Sequence, residues 1–228
     1  MIPEFAGFDR YAGKQVLEVG LGTGSDFIRW VRAGAVAHGR DLTAASIAHI
    51  QARLSFEPCH CFADARQGDA EALDLPDDSI ELYYSWGCLH HTPDTEKAIA
   101  EAYRVLKPGG ELKILIYHRR SVCALLVWLT RGVWRGKGLR RSIADHLESP
   151  GTKAYTRAEA ARLVRQFQDV EIRTWLSAGD LLLNKRSQRS VGRFWTLCYA
   201  LYPRPLIRLL GNRWGMALTI HARKGVPR

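Results

Sequence analysis

The chain has 228 residues, 46% of them apolar and 25% charged, the make-up of a globular protein with one full core, which excludes a disordered or fibrous chain. Five scattered cysteines exclude a disulfide framework, and the first residues lack the basic and apolar blocks of a signal peptide, so a reducing cytoplasm is expected. The net charge of +10 is held unevenly: residues 1–118 carry 11 Lys+Arg against 17 Asp+Glu, residues 119–228 carry 22 against 6, and neither 119–144 nor 181–228 contains an acidic residue.

Residues 1–14 are expected to be short and irregular, with Phe5, Phe8 and Tyr11 packing back on the domain. Residues 16–20 read as a buried strand that ends in Glu18-Val19-Gly20-Leu21-Gly22-Thr23-Gly24, and a helix follows over 26–33 with Phe27, Ile28, Trp30 and Val31 on its apolar face. A strand that passes through alternating glycines into a helix lets backbone N–H groups approach a ligand without Cβ interference. The dinucleotide fingerprint G-x-G-x-x-G would need glycine where Ser25 stands. Glu18 would moreover repel a pyrophosphate, so the pocket suits a ligand carrying positive charge. A second strand over 35–41 finishes at Asp41, which is 21 residues beyond Gly20, the spacing of a carboxylate that grips ribose hydroxyls.

Thr43 is the expected N-cap of a helix through Leu54, and residues 58–67 must hold the third strand. The fourth strand is read over 80–85. A helix over 95–106 is stopped by Pro108-Gly109-Gly110, and 111–117 alternates as the fifth strand. This strand–helix rhythm predicts a parallel, doubly wound α/β sheet with ligands at the carboxyl ends of its strands.

Glu18 to Gly24, Asp41, Gly68-Asp69-Ala70-Glu71, Leu89-His90-His91-Thr92-Pro93-Asp94 and Arg104-Val105-Leu106-Lys107-Pro108-Gly109-Gly110 together resemble the class I S-adenosylmethionine-dependent methyltransferases. The likeness is close over 11–118 and general beyond it. It implies a single domain over 1–228 with a Rossmann-like, seven-stranded, mostly parallel sheet, strand 7 antiparallel, and helices on both faces. The last two strands are expected over 169–175 and 214–222, with helical insertions at 119–154 and 177–213 forming a substrate lid. The resemblance also implies S-adenosyl-L-methionine as cofactor, cradled by Gly20, Leu21, Gly22, Thr23 and Gly24. Glu18 would lie near its charged methionine end, Asp41 and the neighbouring Leu42 at the ribose, Asp69 and Ala70 at the adenine, and Ser85 and Trp86 beside the methionine moiety. Two departures stand out: only a short lead precedes the first strand, and Leu42-Thr43 follows Asp41 where serine is common.

Methyl transfer is an in-line displacement in which the protein mainly aligns the reactants and excludes water. A hydroxyl acceptor calls for a base near neutrality, and histidine is the natural choice. His91 is favoured, with His90 as the alternate; His118 ends the fifth strand at the same edge, and His146 follows the first basic block. Cys59-His60-Cys61 is too compact for a zinc pair, and no metal is expected.

Two basic aromatic blocks, 121–135 and 191–210, are far shorter than a membrane span. They read as a roof over the pocket or as helices lying on an anionic membrane at the inner face. The function expected is methyl transfer to a small hydrophobic or amphipathic acceptor, a glycan, quinone, lipid or secondary metabolite, with oxygen favoured as the acceptor atom. An RNA methyltransferase and a non-catalytic cofactor-binding scaffold are the alternatives. The absence of an N-P-P-[YF] or D-P-P-Y motif after the fourth strand speaks against nucleic acid.

Overall fold

Seven strands form one sheet: β1 (Gln15–Val19), β2 (Val36–Asp41), β3 (Ala63–Gln67), β4 (Ile80–Trp86), β5 (Leu106–Tyr117), β6 (Gln168–Trp175) and β7 (Ala217–Arg223). Their order in the sheet is β3-β2-β1-β4-β5-β7-β6. The computed structural model describes residues 2–57, 62–183 and 200–226; Cys59-His60-Cys61, Cys198 and the 191–199 part of the second basic block lie outside the described residues. Parallel pairing joins β3 to β2, β2 to β1, β1 to β4 and β4 to β5. Gly109 N–H donates to the Lys224 carbonyl and His118 N–H to the Met216 carbonyl, so β7 descends as β5 ascends and the last strand is antiparallel, as expected. The order reverses between β1 and β4, the switch point at which an open α/β sheet presents a crevice at its carboxyl edge.

The central strands are buried on both faces and so read as near-continuous apolar runs: Val16, Leu17 and Val19 in β1, Leu82, Tyr83 and Tyr84 in β4, Leu112, Ile114 and Ile116 in β5. Helix α2 (Ser25–Arg32) buries Phe27, Ile28, Trp30 and Val31 against this sheet's core. Thr43 caps α3 (Ala44–Leu54) by accepting Ser46 N–H, and Asp94 caps α4 (Thr95–Val105) by accepting Lys97 N–H at 3.1 Å.

Two sequence expectations are corrected. The lead is not irregular: α1 (Ile2–Ala6) and a 3₁₀ turn (Phe8–Tyr11) form there, because Phe8 and Tyr11 find the buried Trp30 at 4.2 and 5.7 Å and Lys113 Nζ donates to the Ala6 carbonyl at 2.9 Å. Nor does Pro108-Gly109-Gly110 separate helix from strand, since β5 begins at Leu106. Ile80 pairs Leu106 and Leu82 pairs Glu111, so the extra residues are taken up in an irregularity where Gly109 adopts φ 79°.

The chain divides into two compact units, 1–116 with 158–172 and 220–228, and 117–157 with 173–219. The second holds α5 (Val122–Val127), a π turn (Trp128–Gly132), a 3₁₀ turn (Val133–Arg135), α6 (Leu139–His146) and α8 (Arg204–Leu210), while α7 (Arg157–Leu163) falls almost wholly in the first. The π turn coincides with a close approach: a Cβ on Gly132 would lie 2.0 Å from Ser142 Oγ of α6. The second unit is organised by buried Asp180, whose carboxylate accepts the N–H groups of Cys123, Ser177 and Met216 and the Ser177 hydroxyl. Among the described residues no helix is long and apolar enough to cross a membrane.

Candidate functional site

The carboxyl ends of β1, β2, β3 and β4 bring the cofactor candidates of the first unit to one edge. Three glycines of the turn have left-handed backbone, Gly20 at φ 81°, Gly22 at 53° and Gly24 at 73°, which glycine adopts without Cβ strain. Their surroundings differ. A Cβ on Gly20 would stand 2.3 Å from Cys88 Cβ, and one on Gly24 would stand 2.7 Å from Ile50 Cγ1, so these two glycines permit packing. A Cβ on Gly22 would meet no atom within 4 Å, so this glycine faces open space. Leu21 is buried beneath the turn, and the Thr23 carbonyl accepts from Arg53 at 2.5 Å.

Glu18 lies on β1 two residues before the turn and is only 3% exposed. Its Oε2 has no hydrogen-bond partner among the described residues. Burial pushes its carboxyl well above the usual range, the Asp26 charge pushes the same way, and the Trp30 indole offsets part of the shift. Asp26, from the first turn of α2, accepts the Tyr84 hydroxyl at 2.8 Å. Burial, with Asp26 and Glu18 nearby, raises that phenol far above its ordinary value, so it stays a donor. Two buried carboxyl groups and aromatic side chains thus form an acidic, poorly solvated patch. A cationic group placed there would relieve it, and a phosphate would aggravate it.

Asp41 ends β2 and closes on the glycine turn: Gly22 N–H donates to its Oδ2 at 3.1 Å, while Oδ1 accepts the Thr43 N–H and hydroxyl at 2.9 and 2.8 Å. Leu42 points outward, and its carbonyl accepts from the Gln67 amide. Beside Asp41, the guanidinium of Arg40 is buried at 1% exposure and holds Asp74 through Nε at 2.6 Å and Asp64 through Nη1 at 3.2 Å. Asp74 sits in the loop that begins with Asp69 and Ala70, so Arg40 fixes that loop against β2. Asp69 Oδ1 accepts Glu71 N–H at 2.9 Å, and Ala70 is buried. Glu71 Oε1 accepts Asp94 N–H at 2.6 Å, which ties the Gly68–Glu71 segment directly to the segment containing the two histidines.

At the carboxyl end of β4, Ser85 is fully buried with its hydroxyl unpartnered among the described residues, and Trp86 packs on Phe5 at 5.9 Å and on Tyr84 at 6.4 Å. His90 and His91 form a 3₁₀ turn with Leu89, with ring centroids 4.2 Å apart. His90 is fully buried and His91 partly exposed. His118 and His146 belong to the second unit. His118 is buried with Nδ1 at 3.1 Å from the Gly215 carbonyl, and burial, aided by Arg157 and Arg120, lowers its proton affinity. His146 closes α6 with Nε2 buried and unpartnered among the described residues. Cys88, Asp26 and Arg40 escaped the sequence reading because their roles arise through space. Cys88 packs on Gly20, and burial with the Asp41 charge pushes its thiol up to about 11, so it fills volume as a neutral group.

Residues 17–114 match the family described as a methyltransferase domain. Over this stretch the chain is similar to S-adenosylmethionine-dependent methyltransferases. It is 32% identical over 110 residues to phosphoethanolamine N-methyltransferase 2 of Caenorhabditis elegans, an alignment covering 46% of this chain and 24% of that protein. It is 32% identical over 105 residues to a ubiquinone/menaquinone biosynthesis C-methyltransferase of Ruegeria sp., covering 45% and 42%. The chain therefore spans less than half the length of these two curated relatives. An S-adenosylmethionine-dependent methyltransferase structure from Mesorhizobium loti superposes with TM-score 0.61 and 19% identity over 97% of this chain and 96% of that one, a likeness of fold. The cofactor of this methyltransferase class is S-adenosylmethionine, and the donor set of the domain fits it. The buried Glu18 carboxyl with its unpartnered Oε2 suits its ammonium, an open glycine suits backbone approach, and Asp41 at the end of β2 suits a ribose diol.

Proposed function

We propose that the protein transfers a methyl group from S-adenosylmethionine to a small hydrophobic or amphipathic acceptor, with oxygen favoured as the acceptor atom. The observation that carries the cofactor half is the buried carboxyl of Glu18, whose Oε2 is unpartnered among the described residues, near the open backbone of Gly22. When bound, the cofactor supplies a methyl group already activated by the sulfonium. This chain's residues hold and orient: Glu18 faces the ammonium, Asp41 the ribose, Asp69 and the Ala70 backbone the adenine, while Ser85 and Trp86 border the methionine arm.

His91 takes the proton from the acceptor hydroxyl. It is preferred to His90 because it is partly exposed and can meet an acceptor, whereas fully buried His90 packs behind it as a positioning residue. The helical insertions at 119–154 and 177–213 are read as the elements that select the acceptor. The two relatives named above are described as methylating nitrogen and carbon, so acceptor chemistry varies among similar proteins.

The test uses labelled cofactor with a fractionated metabolite extract and, separately, bulk RNA. Label in a small-molecule fraction is expected, with His91→Ala lowering turnover by about 10²-fold or more and cofactor affinity unchanged. Label in RNA alone, or binding with no product in any fraction, would overturn the reading. Unchanged turnover in His91→Ala would remove the base assignment only.

A further inference from the structure

The second unit carries most of the net positive charge, and its exposed residues have an uncommon composition. Along α5, the π turn and the following 3₁₀ turn, Leu125, Leu129 and Val133 recur at every fourth position and all are exposed. Trp134 ends this ridge at 85% exposure. Arg131 and Arg135 alternate with it in sequence and, two residues off the row, lie on the polar side of the turn; among the described residues neither guanidinium meets a carboxylate, and Arg135 donates only to the Arg131 carbonyl at 2.8 Å. By contrast, Lys137 and Arg141 at the adjoining α6 both pair with Asp145, so this unit neutralises some of its charges and leaves others available.

A second ridge repeats the pattern. In α8 and the 3₁₀ turn after it, Ile207 is buried while Leu206, Leu209, Leu210 and Trp214 are exposed, Leu209 at 81%. Arg208 and Arg213 lie among them, exposed and without a carboxylate partner among the described residues. Both ridges hang from one buried hub: Cys123 N–H at the start of α5 donates to the Asp180 carboxylate, the Tyr202 hydroxyl donates to the Asp180 carbonyl at 2.7 Å, and Arg204 Nε donates to the Leu181 carbonyl at 3.1 Å.

From this pattern we infer that the second unit docks on the surface of an anionic phospholipid bilayer. Leucine, valine and tryptophan enter the boundary between headgroups and acyl chains while the interleaved arginines pair with lipid phosphates, the two forces acting together as in interfacial helices. Aliphatic side chains decide against nucleic acid. Single strands are held by aromatic platforms in a basic groove, and a row of exposed leucines adds nothing to a phosphate backbone. The inference stands on residues outside the 17–114 match and is independent of the acceptor and of the histidine assignment.

Flotation of the full chain with phosphatidylcholine vesicles, with and without an equal share of phosphatidylglycerol, tests it at low salt and at roughly 0.5 M salt. Binding to the anionic vesicles at low salt, loss of most of it at high salt, and a blue shift of tryptophan emission are expected. Leu129→Ser with Trp134→Ser, and separately Arg131→Glu with Arg135→Glu, should each weaken binding about tenfold or more while affinity for S-adenosylhomocysteine is retained. That retained affinity shows that a variant is folded and separates this test from the methyl-transfer reading. Failure to float, equal binding to neutral vesicles, wild-type binding by both variants, or binding to bulk RNA but not to vesicles would each overturn the inference.

Discussion

Glu18 is a carboxyl whose folded environment favours the proton, and the sign of its linkage follows. A group with a raised folded pKa contributes stability that is present below its unfolded value and is lost as pH rises through the folded one. In the cofactor-free protein Glu18 therefore erodes stability at increasing pH, because burial and Asp26 oppose its ionisation. A bound ammonium reverses the preference, so cofactor binding should release a proton from Glu18 between those two pH limits. Calorimetry in buffers of different ionisation enthalpy measures this release directly. Glu18→Gln should abolish the release, weaken binding roughly ten- to hundredfold, and raise the thermal midpoint of the cofactor-free protein at neutral and higher pH. Equal proton release in wild type and variant would sink the assignment. Gly22 gives a complementary case at the same turn. Gly22→Ala carries a left-handed strain of about 1 kcal/mol and no clash, since its Cβ meets nothing. Thermal stability should thus fall only slightly while cofactor affinity falls at least tenfold, and a variant that binds as tightly as wild type would remove Gly22 from the cradle.

At the scale of elements, the Arg40 cluster joins β2 to the loop that opens with Asp69. Arg40 is nearly inaccessible, whereas the Asp74 side chain is half exposed and held below the usual carboxylate range by the guanidinium. Asp74→Ala leaves Arg40 with Asp64 and the Gly39 carbonyl, so the expected loss is about 2 kcal/mol, less than for a fully buried pair. Denaturant titration measures it, and the loss should shrink as pH falls through the depressed folded pKa of Asp74. A variant as stable as wild type at neutral pH would show that the loop is held by Arg104, which donates to the Leu73 and Leu75 carbonyls. The alternation of strands and helices, the cap Thr43 and the glycine turn were legible in the sequence because each rests on neighbours within a few residues. The buried Arg40 network, the Cys88–Gly20 contact and the Asp26–Tyr84 bond were not, because their partners lie 34, 68 and 58 residues apart and no periodicity links them. The start of β5 was misread for a related reason: Pro108-Gly109-Gly110 is a stop signal locally, and only pairing with Ile80 makes it part of a strand.

Across the whole molecule, the acidic first half contains the 17–114 match and the basic second half contributes most of the second unit, so two ligands of opposite demand are assigned to two parts of one chain. A cofactor that binds only the native state stabilises by mass action, and its local footprint falls on the amides it orders. S-adenosylhomocysteine should therefore slow hydrogen exchange in 18–24, 41–43, 69–72 and 85–91. Anionic vesicles should slow it in 121–135 and 204–214, where membrane docking removes water from the exposed ridges. Each footprint is expected in the absence of the other ligand, because each rests on bonds within its own unit: Asp41 bonds to Gly22 and Thr43, and Asp180 to Cys123, Ser177 and Met216. Exchange mass spectrometry on the full chain resolves both. Protection of 121–135 by S-adenosylhomocysteine alone would assign the first ridge to the cofactor's own site and refute the division of labour. Protection by vesicles confined to 204–214 would leave the second ridge as the docking element and strip the first of that role.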